Sequence, residues 1–339
     1  MITKIQSNAM KHRSSFLSAV PLATLMALVV FSEGQSSEPG YTPPVPCYPV
    51  NIMSCDWHDA TRNRAIPVKL YFPKSDKNQF PVIIFSHGLG ASRDSHGWLG
   101  KHWAGCGYIS VHPQHHGSDE LVWKEAGILN AASALKESIS EKNAIDRVED
   151  VSFVIDELIK LNTNPDSPLF GRIDVQSIGV AGCSFGGWTA LAAAGQRSGP
   201  SELILTESRA KAAIAISAPV PERDSERAFA GINIPVFLMT GTLDDSPLGE
   251  TAASQRRIIF DKMTNPEAYL VTFNGADHFS LAGGPRINTF TKEIADGSTA
   301  FWDAYLRRNA AAKDWLNTGG YKQSVGVKGV FETKLPSKN

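Results

Sequence analysis

The apolar positions of this sequence fall into two kinds of segment that alternate along the chain. Short, nearly continuous apolar runs predict buried strands at 66–72, 82–86, 108–112, 177–181, 212–216, 235–240 and 269–273. Apolar residues at helical spacing predict helices at 145–161, from 185 through 194, at 252–263 and from about 298 to 316. This alternation predicts an α/β fold, with a mostly parallel central sheet and helices on both faces.

The amino-terminal region has the pattern of a secretory signal peptide. A basic cluster at 11–13 precedes an apolar run at 16–31, and small residues near Gly34 suit cleavage. The run is shorter than the ~20 residues of a membrane-spanning helix and contains Pro21, so we expect removal on export rather than a membrane anchor. Met10, directly before the basic cluster, is an alternative translation start.

The rest of the chain shows no internal repeat and no linker. We expect a signal peptide at 1–34, an irregular lead-in rich in Pro, Ser and Gly at 35–49, and a single domain at 50–339. Export predicts a secreted or periplasmic protein. Lys and Arg number 33 against 34 Asp and Glu, so no basic excess favours a nucleic-acid partner. The composition assigns no oligomeric state.

The four cysteines have different surroundings. Cys47 and Cys55 lie close together in sequence, and an exported protein can keep a disulfide between them, the alternative being two free thiols. Cys106 and Cys183 stand in apolar runs, which favours buried small side chains. The sequence contains no CxxC pair, so a cysteine-based zinc site is not expected.

One motif carries a specific chemistry. The segment Gly182-Cys183-Ser184-Phe185-Gly186 matches G-x-S-x-G and joins a predicted strand to a predicted helix. In that context the serine occupies a tight turn that exposes its hydroxyl above the sheet. The flanking glycines are expected because side chains there would collide with the neighbouring elements. Ser184 is therefore the candidate nucleophile.

A serine nucleophile needs a base and an acid, which follow it in the order Ser, Asp or Glu, His in this kind of fold. His278 is the one histidine after Ser184 and follows a predicted strand. Asp244 and Asp245 follow the preceding strand and are both candidates for the acid, and Asp277, beside the histidine, is a third.

Acyl transfer also needs donors for the oxyanion, usually two backbone amides. Phe185, directly after the nucleophile, supplies one by position. The turn His87-Gly88-Leu89-Gly90 follows the strand at 82–86 and resembles the HG-type turn of esterases, which implies that the Leu89 amide is the other. His87 is then a positioning residue.

Four segments together resemble the α/β-hydrolase superfamily. They are SHGLGAS (86–92), GCSFGGWTAL (182–191), GTLDDSP (241–247) and GADHFS (275–280), and the resemblance covers roughly 55–310. It is strongest for dienelactone-hydrolase-like, platelet-activating-factor-acetylhydrolase-like and polyester-hydrolase-like serine esterases. The resemblance implies an α/β-hydrolase fold and ester cleavage.

The sequence differs in two ways from the families that it resembles, and these differences limit which family properties can be expected. Dienelactone hydrolases use a cysteine nucleophile, whereas here Cys183 stands one position before Ser184. Plasma acetylhydrolases carry their acid after the strand that follows the nucleophile helix, where this chain has Ser217. Serine cannot serve as the acid, so the later turn with Asp244 and Asp245 must provide it, as in polyester hydrolases. In the superfamily the acid commonly stands third after the glycine that ends the strand, here Gly241, so the resemblance implies Asp244.

No cofactor or metal is expected from the motifs. His112, His115 and His116 are close in sequence, but their spacing fits no recognised zinc motif and HExxH is absent. We therefore expect a loop near the mouth of the site. Gly88-Leu89-Gly90 lacks the third glycine of a dinucleotide-binding turn, because Arg93 stands there.

The sequence thus predicts a carboxylic-ester hydrolase (EC 3.1.1) that works through an acyl-enzyme on a small-molecule or polymeric ester. The alternatives are an amidase or peptidase on the same triad, and a non-catalytic binding protein of the same fold. No long insertion resembling a lipase lid lies between the predicted strands, and 196–209 is the only modest candidate for a lid, so we expect short or medium acyl groups. Candidate pocket residues are the apolar side chains near the motifs: Leu89, Trp98, Trp123, Phe185 and Trp188.

Overall fold

The computed structural model describes residues 40–75, 79–198, 203–221, 225–249, 251–283 and 289–335. The predicted signal peptide at 1–34 lies outside these residues. No helix in the described ranges is long and apolar enough to cross a membrane.

Strands and helices alternate along the described part of the chain. The strands are β1 (Val50–Asp59), β2 (Arg64–Pro73), β3 (Phe80–Ser86), β4 (Ile109–Pro113), β5 (Ile173–Cys183), β6 (Arg197–Ser198), β7 (Leu203–Ile204), β8 (Ala210–Ile216), β9 (Val236–Leu243), β10 (Ala268–Asp277) and β11 (Gly329–Lys334). The helices are α1 (Gly97–Gly105), α2 (Glu120–Ala126), α3 (Ala131–Glu137), α4 (Glu141–Thr163), α5 (Phe185–Ala193), α6 (Ser225–Ala228), α7 (Ile258–Lys262), α8 (His278–Leu281), α9 (Thr291–Tyr305), α10 (Ala310–Asn317) and α11 (Gly320–Val325).

Nine of the described strands form one sheet, in the order β1-β2-β4-β3-β5-β8-β9-β10-β11. Neighbours from β4 through β10 run parallel, whereas β1, β2 and β11 pair antiparallel at the edges. The prediction of a mostly parallel α/β sheet is confirmed. Because the central strands are parallel, their carboxyl ends share one edge of the sheet, where the loops after β3, β5, β9 and β10 meet.

The two faces of the sheet bury separate apolar clusters. In β3, Val82 and Ile84 belong to one cluster and Ile83 and Phe85 to the other, because successive strand side chains point to opposite faces. Helices α4 and α5 cover the first face, and α1 and α9 contribute to the second. Burial on both faces explains why the central strands read as continuous apolar runs.

One edge strand and two helices differ from the elements that the sequence predicts. Strand β1 was not predicted, because its side chains alternate between half-buried and exposed. The helix predicted at 252–263 is a short 3-10 turn (Ala253–Gln255) followed by α7. The helix predicted at 298–316 is two helices, α9 and α10, separated by Arg308 at φ 56°, a backbone conformation that interrupts a right-handed helix.

The disulfide expected between Cys47 and Cys55 is not formed, and both are free thiols. The amide of Cys47 donates to the carbonyl of Gly105. Cys55 lies in β1, opposite Val68 of β2. A strand advances about 3.3 Å per residue, so β1 carries Cys55 away from the end of the strand that follows Cys47. Cys106 and Cys183 are buried free thiols, as predicted.

Candidate active site

Ser184 occupies a strained turn between β5 and α5. Its backbone has φ 56° and ψ −120°, which is unusual for a residue with a side chain. The turn is possible because the residues two positions before and two positions after Ser184 are glycines. A Cβ on Gly182 would collide with the backbone of Gly186, and one on Gly186 would collide with the backbone of Ser86. The G-x-S-x-G spacing is therefore a packing requirement of this turn.

Ser184, His278 and Asp244 form one chain of hydrogen bonds. Nδ1 of His278 lies 2.8 Å from Oδ1 of Asp244, and Nε2 lies 3.1 Å from Oγ of Ser184. A carboxylate can only accept, so Nδ1 carries the ring proton and donates it to Asp244. Nε2 is then the acceptor that faces the serine hydroxyl. The second oxygen of Asp244 accepts from the hydroxyl of Thr240 at 2.7 Å.

The other two candidate acids are held elsewhere. Asp245 is exposed and accepts from the amide of Ala253 at 2.8 Å. Asp277 caps helix α8 by accepting from the amide of Ser280 at 2.7 Å. Of the three carboxylates, the structure brings Asp244 to the ring of His278.

Ser217, the position that bears the acid in the plasma acetylhydrolase pattern, is buried behind the site. Its backbone has φ 50°, and its hydroxyl has no hydrogen-bond partner among the described residues. Its carbonyl accepts from the guanidinium of Arg256 at 2.6 Å. The same arginine donates to the carbonyl of Asp244, so the ends of β8 and β9 are joined beside Asp244 and His278.

The two expected oxyanion donors lie at the same pocket as Ser184. Leu89 and Phe185 both line the cavity that contains Ser184 and His278. Phe185 is the first residue of α5, where amides have no partner within the helix. Within the described ranges, neither amide donates a hydrogen bond to a protein acceptor.

His87 supports the turn after β3, as the sequence predicted for a positioning residue. Its Nε2 accepts from the amide of His115 at 2.9 Å, so Nδ1 carries the proton and donates to the carbonyl of Gly88 at 2.7 Å. Burial, together with the nearby charge of Arg147, lowers the pKa of His87 well below its ordinary value. A neutral ring with a fixed tautomer therefore supports the turn after β3.

Arg147 of α4 links the two halves of this region. It is fully buried, donates to the carbonyl of His87, and donates to the hydroxyl of Thr189 at 2.9 Å. Thr189 in turn donates to the carbonyl of Phe185 at 2.9 Å, and the guanidinium lies 4.5 Å from the centre of the Phe185 ring. One side chain thus contacts both segments that carry the expected donors.

The cavity above Ser184 has a volume of about 320 Å³ and is mostly apolar. Leu89 and Phe185 line it, as expected, but Trp98, Trp123 and Trp188 do not. The full lining consists of residues from the loops at the carboxyl ends of the strands: Gly88, Leu89, Ala91, Ser95, His96, Leu135, Ile139, Cys183, Ser184, Phe185, Pro219, Ser246, Pro247, Leu248, Arg256, His278, Phe279 and Ala282.

A helical hairpin, formed by α2 and α3, covers part of the cavity. Leu135 and Ile139 line the cavity, and the indole of Trp123 donates to the carbonyl of Gly90 at 2.8 Å. In the segment predicted as a lid candidate, 196–209, the described residues include the short β6-β7 pair, and none of these described residues lines the cavity. Sequence reasoning missed this hairpin, because its residues show no sustained apolar period.

The histidines after β4 are mostly internal, not at the mouth of the site. His112 lies within the strand, and His115 bonds Asp150 and the hydroxyl of Ser86, each at 3.0 Å. Burial lowers the pKa of His115 to about 4. His116 is exposed. In the described part of the chain, no three His, Cys, Asp or Glu side chains are grouped to hold a metal ion.

Comparisons with known proteins agree with this architecture. A family model described as PET hydrolase-like matches residues 136–295, which include the three residues of the hydrogen-bond chain. A second, described as platelet-activating factor acetylhydrolase, isoform II, matches residues 52–124, which include the turn after β3. A search of curated proteins found no match. Both matched families are serine esterases of the α/β-hydrolase type, and they agree with the observed fold and with the resemblance seen in the sequence motifs.

Proposed function

We propose that this protein hydrolyses carboxylic esters, with Ser184 as nucleophile, His278 as general base and Asp244 as the acid that orients the base. The observation that carries the proposal is the hydrogen-bond chain from Oγ of Ser184 through His278 to Asp244, at the floor of an apolar cavity. A serine hydroxyl becomes a useful nucleophile when such a base accepts its proton.

The chain's own residues account for each step. Oγ of Ser184 attacks the ester carbonyl carbon while its proton moves to Nε2 of His278, and Asp244 stabilises the resulting imidazolium. The amides of Leu89 and Phe185 donate to the oxyanion. The imidazolium then protonates the departing alcohol, which leaves an acyl group on Ser184. Water attacks this acyl-enzyme with His278 again as base, and releases the carboxylic acid and the free serine.

The lining of the cavity supports an ester with an apolar acyl or alcohol part. The volume of about 320 Å³ suits a short or medium chain, and an acetyl or aromatic polyester unit belongs in the same test panel. The amidase alternative uses the same triad, so nitrophenyl esters compared with matched nitroanilides distinguish the two. We expect ester turnover to dominate.

The site is proposed to work outside the cytoplasm, because the sequence at 11–31 has the order of a secretory signal. Amino-terminal sequencing of the exported protein should give a start near residue 35. A mature chain that still carries 16–31 would instead favour an anchored protein.

The catalytic proposal is tested by ester turnover of Ser184→Ala. Loss of the nucleophile should reduce turnover by about 10⁶-fold, as in the best-studied triad, with an unchanged melting temperature. A variant that keeps activity within tenfold of the wild type would contradict the assignment. A wild-type protein that is folded but inactive on the whole panel would favour the non-catalytic alternative.

A further inference from the structure

Arg256 is a buried cation beside the triad to which no step above assigns a role. It is 4% exposed and lines the cavity. Its Nε donates to the carbonyl of Asp244 at 3.0 Å, and its Nη1 donates to the carbonyls of Ser217 and Ala218 at 2.6 and 2.8 Å. The guanidinium therefore joins the acid-bearing turn after β9 to the end of the neighbouring strand β8.

The other end of the guanidinium faces the charge of the acid. Nη2 of Arg256 lies 3.4 Å from Oδ1 of Asp244, the oxygen that accepts from His278. It is also 3.4 Å from Nδ1 of His278, but Nδ1 carries its own proton and cannot accept. The carboxylate of Asp244 is completely buried. A buried carboxylate is costly without a compensating charge, and among the described side chains Arg256 is the permanent cation beside it.

We propose that Arg256 is a positioning residue of the triad, which holds the carboxylate of Asp244 fixed against His278. This inference rests on the proposed esterase function. A single guanidinium reaches three carbonyls and a carboxylate because its donors lie in one rigid plane. It thereby contacts both the backbone and the carboxylate of Asp244.

Because Arg256 acts through Asp244, the two residues should be coupled in a double-mutant cycle. We compare the wild type, Arg256→Met, Asp244→Asn and the double variant on one activated ester. Arg256→Met should lower kcat about 10- to 100-fold with KM nearly unchanged, in the range measured for contacting residues. In the Asp244→Asn background the same change should cost less than about threefold, because the charge that Arg256 holds is already gone.

The neighbouring arginine provides a matched control. Arg257 is about half exposed and pairs with Asp261 and Glu332 on the surface. Arg257→Met should therefore leave kcat and KM unchanged. If Arg256→Met does not fold, Arg256→Lys replaces it in the cycle. Lysine keeps a cation but cannot make the planar set of bonds, so a loss of at least about threefold in kcat is expected, again absent beside Asp244→Asn.

Three results would overturn the inference or separate it from the proposed function. A folded Arg256→Met with kcat within about threefold of the wild type would show that the arginine is dispensable. If the decrease in kcat of the double variant equals the product of the decreases in the two single variants, Arg256 acts independently of Asp244. If either of these two results is found and Ser184→Ala is inactive, only the inference about Arg256 is refuted. If Ser184→Ala is active, the proposed esterase function itself is refuted.

Discussion

Asp244 and His278 are 34 residues apart in sequence, yet Oδ1 and Nδ1 lie 2.8 Å from one another. The register of two parallel strands brings them together. Leu243 at the end of β9 is opposite Asp277 at the end of β10, so the residues that directly follow the two strands are Asp244 and His278. The contact between these two side chains is thus a consequence of strand pairing, and one residue of slippage in either turn would separate them.

The register of the acid turn can be tested with two neighbouring variants. Asp244→Asn keeps the shape but favours the wrong imidazole tautomer, a change that costs about 10⁴ in turnover in a well-studied protease. Asp245→Asn is the matched control, because its carboxylate is exposed and bonds the amide of Ala253. It should retain turnover within a few-fold. Steady-state rates on one activated ester decide this, and a crippled Asp245→Asn would move the acid by one residue.

The helical hairpin should influence acyl-chain preference. Leu135→Ala enlarges the cavity, so the ratio of kcat/KM for a decanoate over a butyrate nitrophenyl ester should rise by roughly tenfold. Leu129, at the tip of the hairpin, is 98% exposed and does not line the cavity, so Leu129→Ala should leave the ratio unchanged. Equal shifts in both variants would indicate that the hairpin acts by its mobility and not by its volume.

Acid should destabilise the fold through its buried histidines. Burial is the main cause that lowers the pKa of His112 to about 3 and of His115 to about 4. Below the ordinary histidine pKa of about 6.5, the unfolded chain binds protons that the folded chain does not, so stability falls as pH decreases from about 6.5 to 4. Each ring should cost roughly 2 kcal/mol at pH 5.

Chemical denaturation between pH 7 and 5 measures this effect as the free energy of unfolding. His115→Gln removes one titrating ring, so the free energy of unfolding should fall less steeply between pH 7 and 5, by the contribution of that ring. His116→Gln is the control, because His116 is exposed and should leave the slope as it is. A wild-type free energy that stays constant over this range would contradict the account.

The features that the sequence predicted correctly are those fixed by local sterics or by continuous burial. The central strands could be read because both faces are covered, and the turn at Ser184 because its glycines are required by packing. Strand order also limited the acid to the turn after β9. That choice of Asp244 remains a functional prediction, which the variants above address.

The features that the sequence did not predict depend on contacts between distant segments. Nothing local distinguishes Arg256 from Arg257, although one is buried against β8 and β9 and the other is at the surface. The hairpin that carries Leu135 has too few apolar residues for a clear period and is recognised only by the cavity it covers. The break at Arg308 depends on the positive φ of a single residue.

The central claim is that Ser184 is a nucleophile activated by His278. Incubation of the pure protein with a fluorophosphonate, followed by peptide mass spectrometry, measures this directly, because the reagent bonds covalently to an activated serine oxygen. We predict stoichiometric labelling of the peptide that contains Ser184, strong slowing in His278→Ala and no labelling in Ser184→Ala. Labelling that persists in a folded Ser184→Ala, or a folded wild type that is never labelled, would contradict the account.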